Sequence, residues 1–172
     1  MEFQDFKNLI QKEYINTVLA PYFPEVAHTQ KYIGRYHPRY ELGIKTKLCN
    51  FLFVWGEGAG GMIGPLTSSF QDAQSGWYDL DKIISFVTQQ PFHYSPLKQT
   101  LSHREQLMNS ICKERKEFTS VAEKIMLMFS SKKNMHKWKE MYSRYEDEQF
   151  KAKYPKYYDE YIKRKSQRGP EV

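Results

Sequence analysis

Phe51-Leu-Phe-Val-Trp-Gly-Glu-Gly-Ala-Gly-Gly-Met-Ile-Gly-Pro-Leu66, with Gly76-Trp-Tyr-Asp-Leu-Asp-Lys-Ile-Ile-Ser-Phe-Val87 close behind it, decides the fold. Leu48 to Trp55 is apolar almost throughout, as in an inner strand covered on both faces. Gly56 to Gly61 supplies a turn, and Met62 to Leu66 a short third strand. Pro65 confines that strand to an edge or a strand end, because proline has no N–H for the ladder. Asp79 is placed to cap a helix whose apolar stripe is Leu80, Ile83, Ile84 and Val87. Strand, glycine turn, strand and capped helix make the centre of an α+β domain.

Upstream, Tyr40, Leu42, Ile44, Thr46 and Leu48 alternate with Glu41, Lys45 and Lys47, the pattern of a strand with one wet face. Phe3, Phe6, Leu9, Ile10, Val18 and Leu19 predict a helix over 3–19, stopped by Pro21 and Pro24. Residues 22–38 read as a connection with room for a short strand, and Pro38 gives Tyr36 to Tyr40 the character of a turn. Downstream, Pro91 and Pro96 bracket a connector over 90–100. Ser102-His-Arg-Glu105 then matches a capping box. Ile111, Phe118, Ala122, Ile125 and Phe129 continue the helix, with Leu107 a turn earlier. Ser130 to Asn134 interrupts it, and Met135, Trp138, Met141, Tyr142 and Tyr145 resume it. The expectation is an antiparallel helical hairpin, with Trp138 in its seam. Tyr157, Tyr158, Tyr161 and Ile162 suggest a last short helix before a frayed tail over 166–172. The expected whole is one domain: a mainly antiparallel sheet of three or four strands in 1–100, packed by the first and central helices, and a helical section over 101–165.

Aromatic residues form 16% of the 172-residue chain, enough to fill a core with rings. No apolar run reaches the roughly 18 residues a membrane span needs, and the polar start does not resemble a secretory signal. A cytoplasmic location is expected. Cys49 and Cys112 fall in a strand and a helix, as small core thiols in a reducing compartment would. The first hundred residues are neutral, and the remainder carries the whole net charge of +6.

Gly56-Glu-Gly-Ala-Gly-Gly61 satisfies G-x-G-x-x-G in form. That motif binds a pyrophosphate only where a helix N-terminus follows, and Gly64-Pro65 opposes a helix here. The five histidines are scattered without metal-ligand spacing, and no nucleophile elbow occurs. Asp79 and Asp81, the nearest carboxylate pair, sit on different faces of a helix start. No cofactor, metal or catalytic residue is expected. Lys132-Lys-Asn-Met-His-Lys-Trp-Lys139, Lys151 to Lys156 and Lys163-Arg-Lys165 mix bases with aromatics. This makes a nucleic-acid-binding module the alternative function. Against it, Trp138 lies on the apolar stripe and Glu146-Asp-Glu148 interrupts the basic run.

Over residues 40–90, the strand–turn–strand block with Gly-Pro-Leu and the Gly76 to Val87 segment resembles small bacterial immunity proteins encoded beside polymorphic or contact-dependent toxins. That resemblance implies a non-enzymatic protein that binds its cognate toxin and blocks it. The residues expected to meet a partner are Glu57 at the hairpin tip, Trp77, Tyr78 and Asp81 around the central helix start, and Lys132, Lys133 and Lys137 in the basic part. Inhibitors of nuclease toxins are often acidic. A basic half therefore implies contact through the neutral N-terminal half, or a toxin of another kind.

Overall fold

The computed structural model describes residues 1–33, 38–56, 58–71, 76–91 and 102–167. Glu57, residues 34–37, where part of the expected turn falls, and most of the 90–100 connector lie outside the described residues. The fold is α+β, built on a five-stranded antiparallel sheet in the order β1 (Glu25–Ile33), β2 (Pro38–Lys45), β3 (Asn50–Trp55), β4 (Ala59–Gly64), β5 (Tyr78–Asp79). Every strand pairs with its sequence neighbour, so the sheet is a meander with β1 and β5 at its edges. The described residues fall into two compact units, Met1–Met135 and His136–Val172, and the sheet belongs to the first.

Register puts Tyr40, Leu42 and Ile44 beside Trp55, Phe53 and Phe51, and Phe51 and Phe53 beside Ile63 and Gly61. These residues line one face, which takes the helices. Phe6, from α1 (Phe3–Ile10), meets Trp55 and Tyr40; Phe118, from α3 (His103–Thr119), meets Phe51 edge-on at 5.7 Å. On the opposite face Leu52 is buried all the same. The loop after β4 folds back there, placing Phe70 over Gly43 and parallel to the His28 ring, with Trp77 5.4 Å from Phe70. A Cβ on Gly43 would come within 2.5 Å of Phe70, so the loop can lie this close only because position 43 has no side chain.

Asn50, fully buried, pins the loop by donating to the carbonyls of Pro65, Leu66 and Ser68. Between β2 and β3, the Thr46 hydroxyl accepts the Cys49 and Leu48 amides and donates to the Cys49 carbonyl, reinforcing the backbone hydrogen bond from Thr46 N–H to the same carbonyl.

Several expectations are corrected. The 22–38 connection contains a nine-residue strand, β1, with a bulge at Ala27. The glycine turn is shorter than expected, because Ala59, Gly60 and Gly61 already pair in β4. The sheet has five strands, not three or four. The N-terminal helix is α-helical only to Ile10 and continues as a π-helix over Gln11–Val18. Asp79 precedes α2 (Leu80–Thr88) but makes no side-chain cap; its carboxylate takes the Lys82 ammonium at 2.8 Å instead.

The Ser102 capping box forms as expected, with Glu105 N–H donating to Ser102 Oγ and Ser102 N–H donating to Glu105 Oε2. The helix it starts breaks at Ser120-Val121 into α3 and α4 (Ala122–Phe129), and α5 (Lys132–Lys153) follows after Ser130-Ser131. Met141 is 60% exposed and leaves the stripe on which it was placed, whereas Met135, Trp138, Tyr142 and Tyr145 are buried.

Within the second unit, α5 and α6 (Tyr158–Gln167) lie antiparallel. Phe150 stacks on Tyr161 at 4.1 Å, and Lys165 reaches back to Asp147 and Ser143. Residues 166 and 167 belong to α6; the rest of the expected tail lies outside the described residues.

Candidate functional site

The expected partner-contact residues differ in their surroundings, and Glu57 lies outside the described residues. Trp77 is buried; its indole N–H donates to the Ser69 carbonyl at 3.0 Å and its ring packs on Phe70, so it anchors the loop. Tyr78 points to the other side of the sheet, beside Ile63, with its ring edge-on to Phe129. Asp81 is exposed at the start of α2. Its carboxyl is held above the usual range, first by desolvation against the packed protein on its inner side and then by Asp79. Lys132, Lys133 and Lys137 are all exposed along α5.

Two features the sequence reading missed carry more. The first is Glu114, 7% exposed on the sheet-facing side of α3. The Tyr14 hydroxyl donates to its Oε1 at 2.7 Å, and the Gly61 amide donates to both carboxylate oxygens at 3.1 Å. Tyr14 comes from the π-helix, where the wider turn sets its ring 4.4 Å from Phe53. Burial pushes the Glu114 carboxyl up to about 8, against the lowering effect of its two donors and with a smaller upward push from Asp81 and Asp79. The Tyr14 hydroxyl is pushed up in turn, by burial and by the carboxyl beside it. Such a group can exchange a proton near neutral pH. Its contacts tie α3, the π-helix and β4 together. The signal was in the sequence: Leu107, Ile111, Glu114 and Phe118 share the three- and four-residue spacing of one helix face, so an acidic residue stands on an apolar stripe.

The second feature is the outer edge of β1. Among the described residues this strand pairs only with β2, which leaves one side of nine residues of backbone unpaired within the sheet. Ile33 is 90% exposed, and Val26, Tyr32 and the nearby Phe23 are exposed as well. The Lys47 ammonium lies over the Phe23 ring at 3.6 Å, and Lys31 lies over Tyr40. Natural sheets usually blunt such edges with charge, proline or a bulge. Here the bulge at Ala27 and the charges of Glu25 and Lys31 do so in part, while apolar side chains remain exposed towards both ends.

Among the described residues no group of acidic, histidine or cysteine side chains is arranged to hold a metal ion, and no helix is long and apolar enough to cross a membrane. No protein-family model, curated protein or solved structure matches this chain.

Proposed function

We propose that this chain is a binding protein without catalysis of its own: an immunity protein that acts in the bacterial cytoplasm and neutralises a cognate toxin by direct contact. The observation that carries this reading is the β1 edge. Unpaired backbone donors and acceptors offer main-chain hydrogen bonds to an incoming strand, and the exposed Val26, Tyr32 and Ile33 offer side-chain contacts beside them. The resemblance over residues 40–90 agrees with it, and the edge lies in the neutral half of the chain.

The test is coexpression with the products of the neighbouring genes in a surrogate host. One of those products is expected to arrest growth when expressed alone and to be relieved when this chain is present. Ile33→Asp and Val26→Asp, both at exposed positions, are expected to abolish relief and copurification while leaving the melting temperature unchanged. Neighbouring products without toxicity, or relief without a physical complex, would overturn the proposal.

A further inference from the structure

Residues 151–157 at the end of the α5–α6 hairpin have a chemistry that toxin binding does not use. All seven are exposed. They contain Lys151, Lys153 and Lys156, and no carboxylate occurs between Glu148 and Asp159. Of the nearby acids, Asp147 takes the Lys165 ammonium and the Tyr161 hydroxyl, and Glu160 pairs with Arg164. Asp147, in the middle of the acidic run, is thus engaged inside the hairpin, and Glu148 and Asp159 border a stretch of three lysines.

Lys151 and Lys153 stand in the last turn of α5, where a cation also complements the carbonyl end of the helix. That role does not extend to Lys156, which lies beyond the helix end, and it does not explain the tyrosines. Tyr157 is 62% exposed and Tyr154 43% exposed, unusual for large rings on a turn this polar. Tyr154 is backed by Phe150 at 5.2 Å, and Lys151 lies over the Tyr158 ring at 5.2 Å. The result is two exposed rings, Tyr154 backed by Phe150 with the Lys153 ammonium over its ring and Tyr157 beside it in sequence, bordered by three cations.

We propose that this corner binds single-stranded nucleic acid, the lysines meeting phosphates and Tyr154 and Tyr157 stacking on unpaired bases. A duplex keeps its bases stacked and paired, so it can satisfy the cations but not the rings. Three phosphate contacts on a single strand give a log–log salt slope of about −2, or a loss of roughly 20-fold in affinity between about 50 and 200 mM salt. The proposal does not depend on the immunity reading.

The experiment is fluorescence anisotropy of the full chain with a labelled oligothymidine, a duplex of the same length and poly-glutamate as competitor. Preference for the single strand with that slope is expected. Tyr157→Ala is expected to weaken binding about tenfold, and Lys151→Gln, Lys153→Gln and Lys156→Gln together to remove most of the salt dependence. Circular dichroism of each variant separates lost binding from lost helix, and Tyr157→Phe, which keeps the stacking ring, is expected to bind like the parent chain. Equal affinity for duplex, indifference to Tyr157→Ala, or no binding to the oligothymidine would overturn the proposal. Competition by poly-glutamate as strong as by oligothymidine would also overturn it, in favour of an acidic protein surface.

Discussion

Glu114 holds its proton more tightly in the folded protein than in the unfolded chain, because burial penalises the carboxylate more than the Tyr14 and Gly61 donors stabilise it. The native state therefore binds more protons than the unfolded state across the interval between the ordinary glutamate value and about 8. Stability from this group is fully present below the ordinary value, falls as pH rises through the interval, and levels off above about 8. The loss is on the order of a few kcal/mol. Glu114→Gln keeps an oxygen that accepts from Tyr14 and Gly61 but cannot ionise. Urea unfolding at about pH 5, 7 and 9 is expected to show a falling midpoint for the parent chain and a flatter profile for the variant, with the curves converging or crossing on the alkaline side. Parallel curves would show that Glu114 does not titrate in this range. Residue identity was legible here and its environment was not: the sequence places a carboxylate on an apolar stripe, but only packing shows that its hydrogen-bond donors among the described residues are a tyrosine and a backbone amide.

At the scale of elements, close approach of α3 to β4 depends on a missing side chain. A Cβ on Gly61 would sit 3.0 Å from Glu114 Oε1, 3.0 Å from Phe53 and 3.1 Å from Leu80, whereas one on Gly58 would meet nothing within 4 Å. Gly61→Ala is expected to destabilise the fold by about 1–3 kcal/mol through overpacking, although alanine costs less backbone entropy than glycine. Gly58→Ala is expected to change stability by less than about 0.5 kcal/mol, the ordinary scale for an open surface position. Equal melting temperatures for the two variants would refute this account of the helix–sheet contact. The same segment shows how far the element boundaries could be read. Alternation and the apolar run located β2 and β3, but β2 runs over Pro38–Lys45 rather than 40–48 and takes in part of the expected turn at 36–40, and β3 begins at Asn50. Glu41, expected on a wet face, is buried beside Arg39 and His28. Gly60 and Gly61 looked like turn residues because a glycine in a strand leaves no side chain to read. β1 was nearly invisible for a related reason. Its residues are mostly exposed on both faces, so Glu25 to Ile33 carries little alternation, and pairing with β2 alone makes it a strand.

Across the whole molecule, the two thiols differ in their access to solvent. Cys49 is buried at the β2–β3 turn and its thiol is pushed up to about 12, while Cys112 on α3 is half-buried and raised less strongly. Both are free. A thiol reagent is therefore expected to modify Cys112 first, by local exposure, and Cys49 only when the sheet opens. The Cys49 rate should then follow global stability and fall when a stabilising osmolyte is added. Rapid modification of both in the native protein would mean that the β2–β3 turn opens independently of the sheet.

Sequence by itself determined the α+β class, the two inner strands, the capped start of α3 and the concentration of positive charge in the last part of the chain. These follow from periodicity, capping chemistry and composition, which act over a few residues and need no partner. Tertiary structure alone decided the pairing that makes β1 a strand with a free edge, the burial that raises Glu114, the role of Trp77 as a loop anchor rather than a contact residue, and the outward tyrosines at 154 and 157. Each depends on what lies across space from the residue, and local sequence carries no record of that distance.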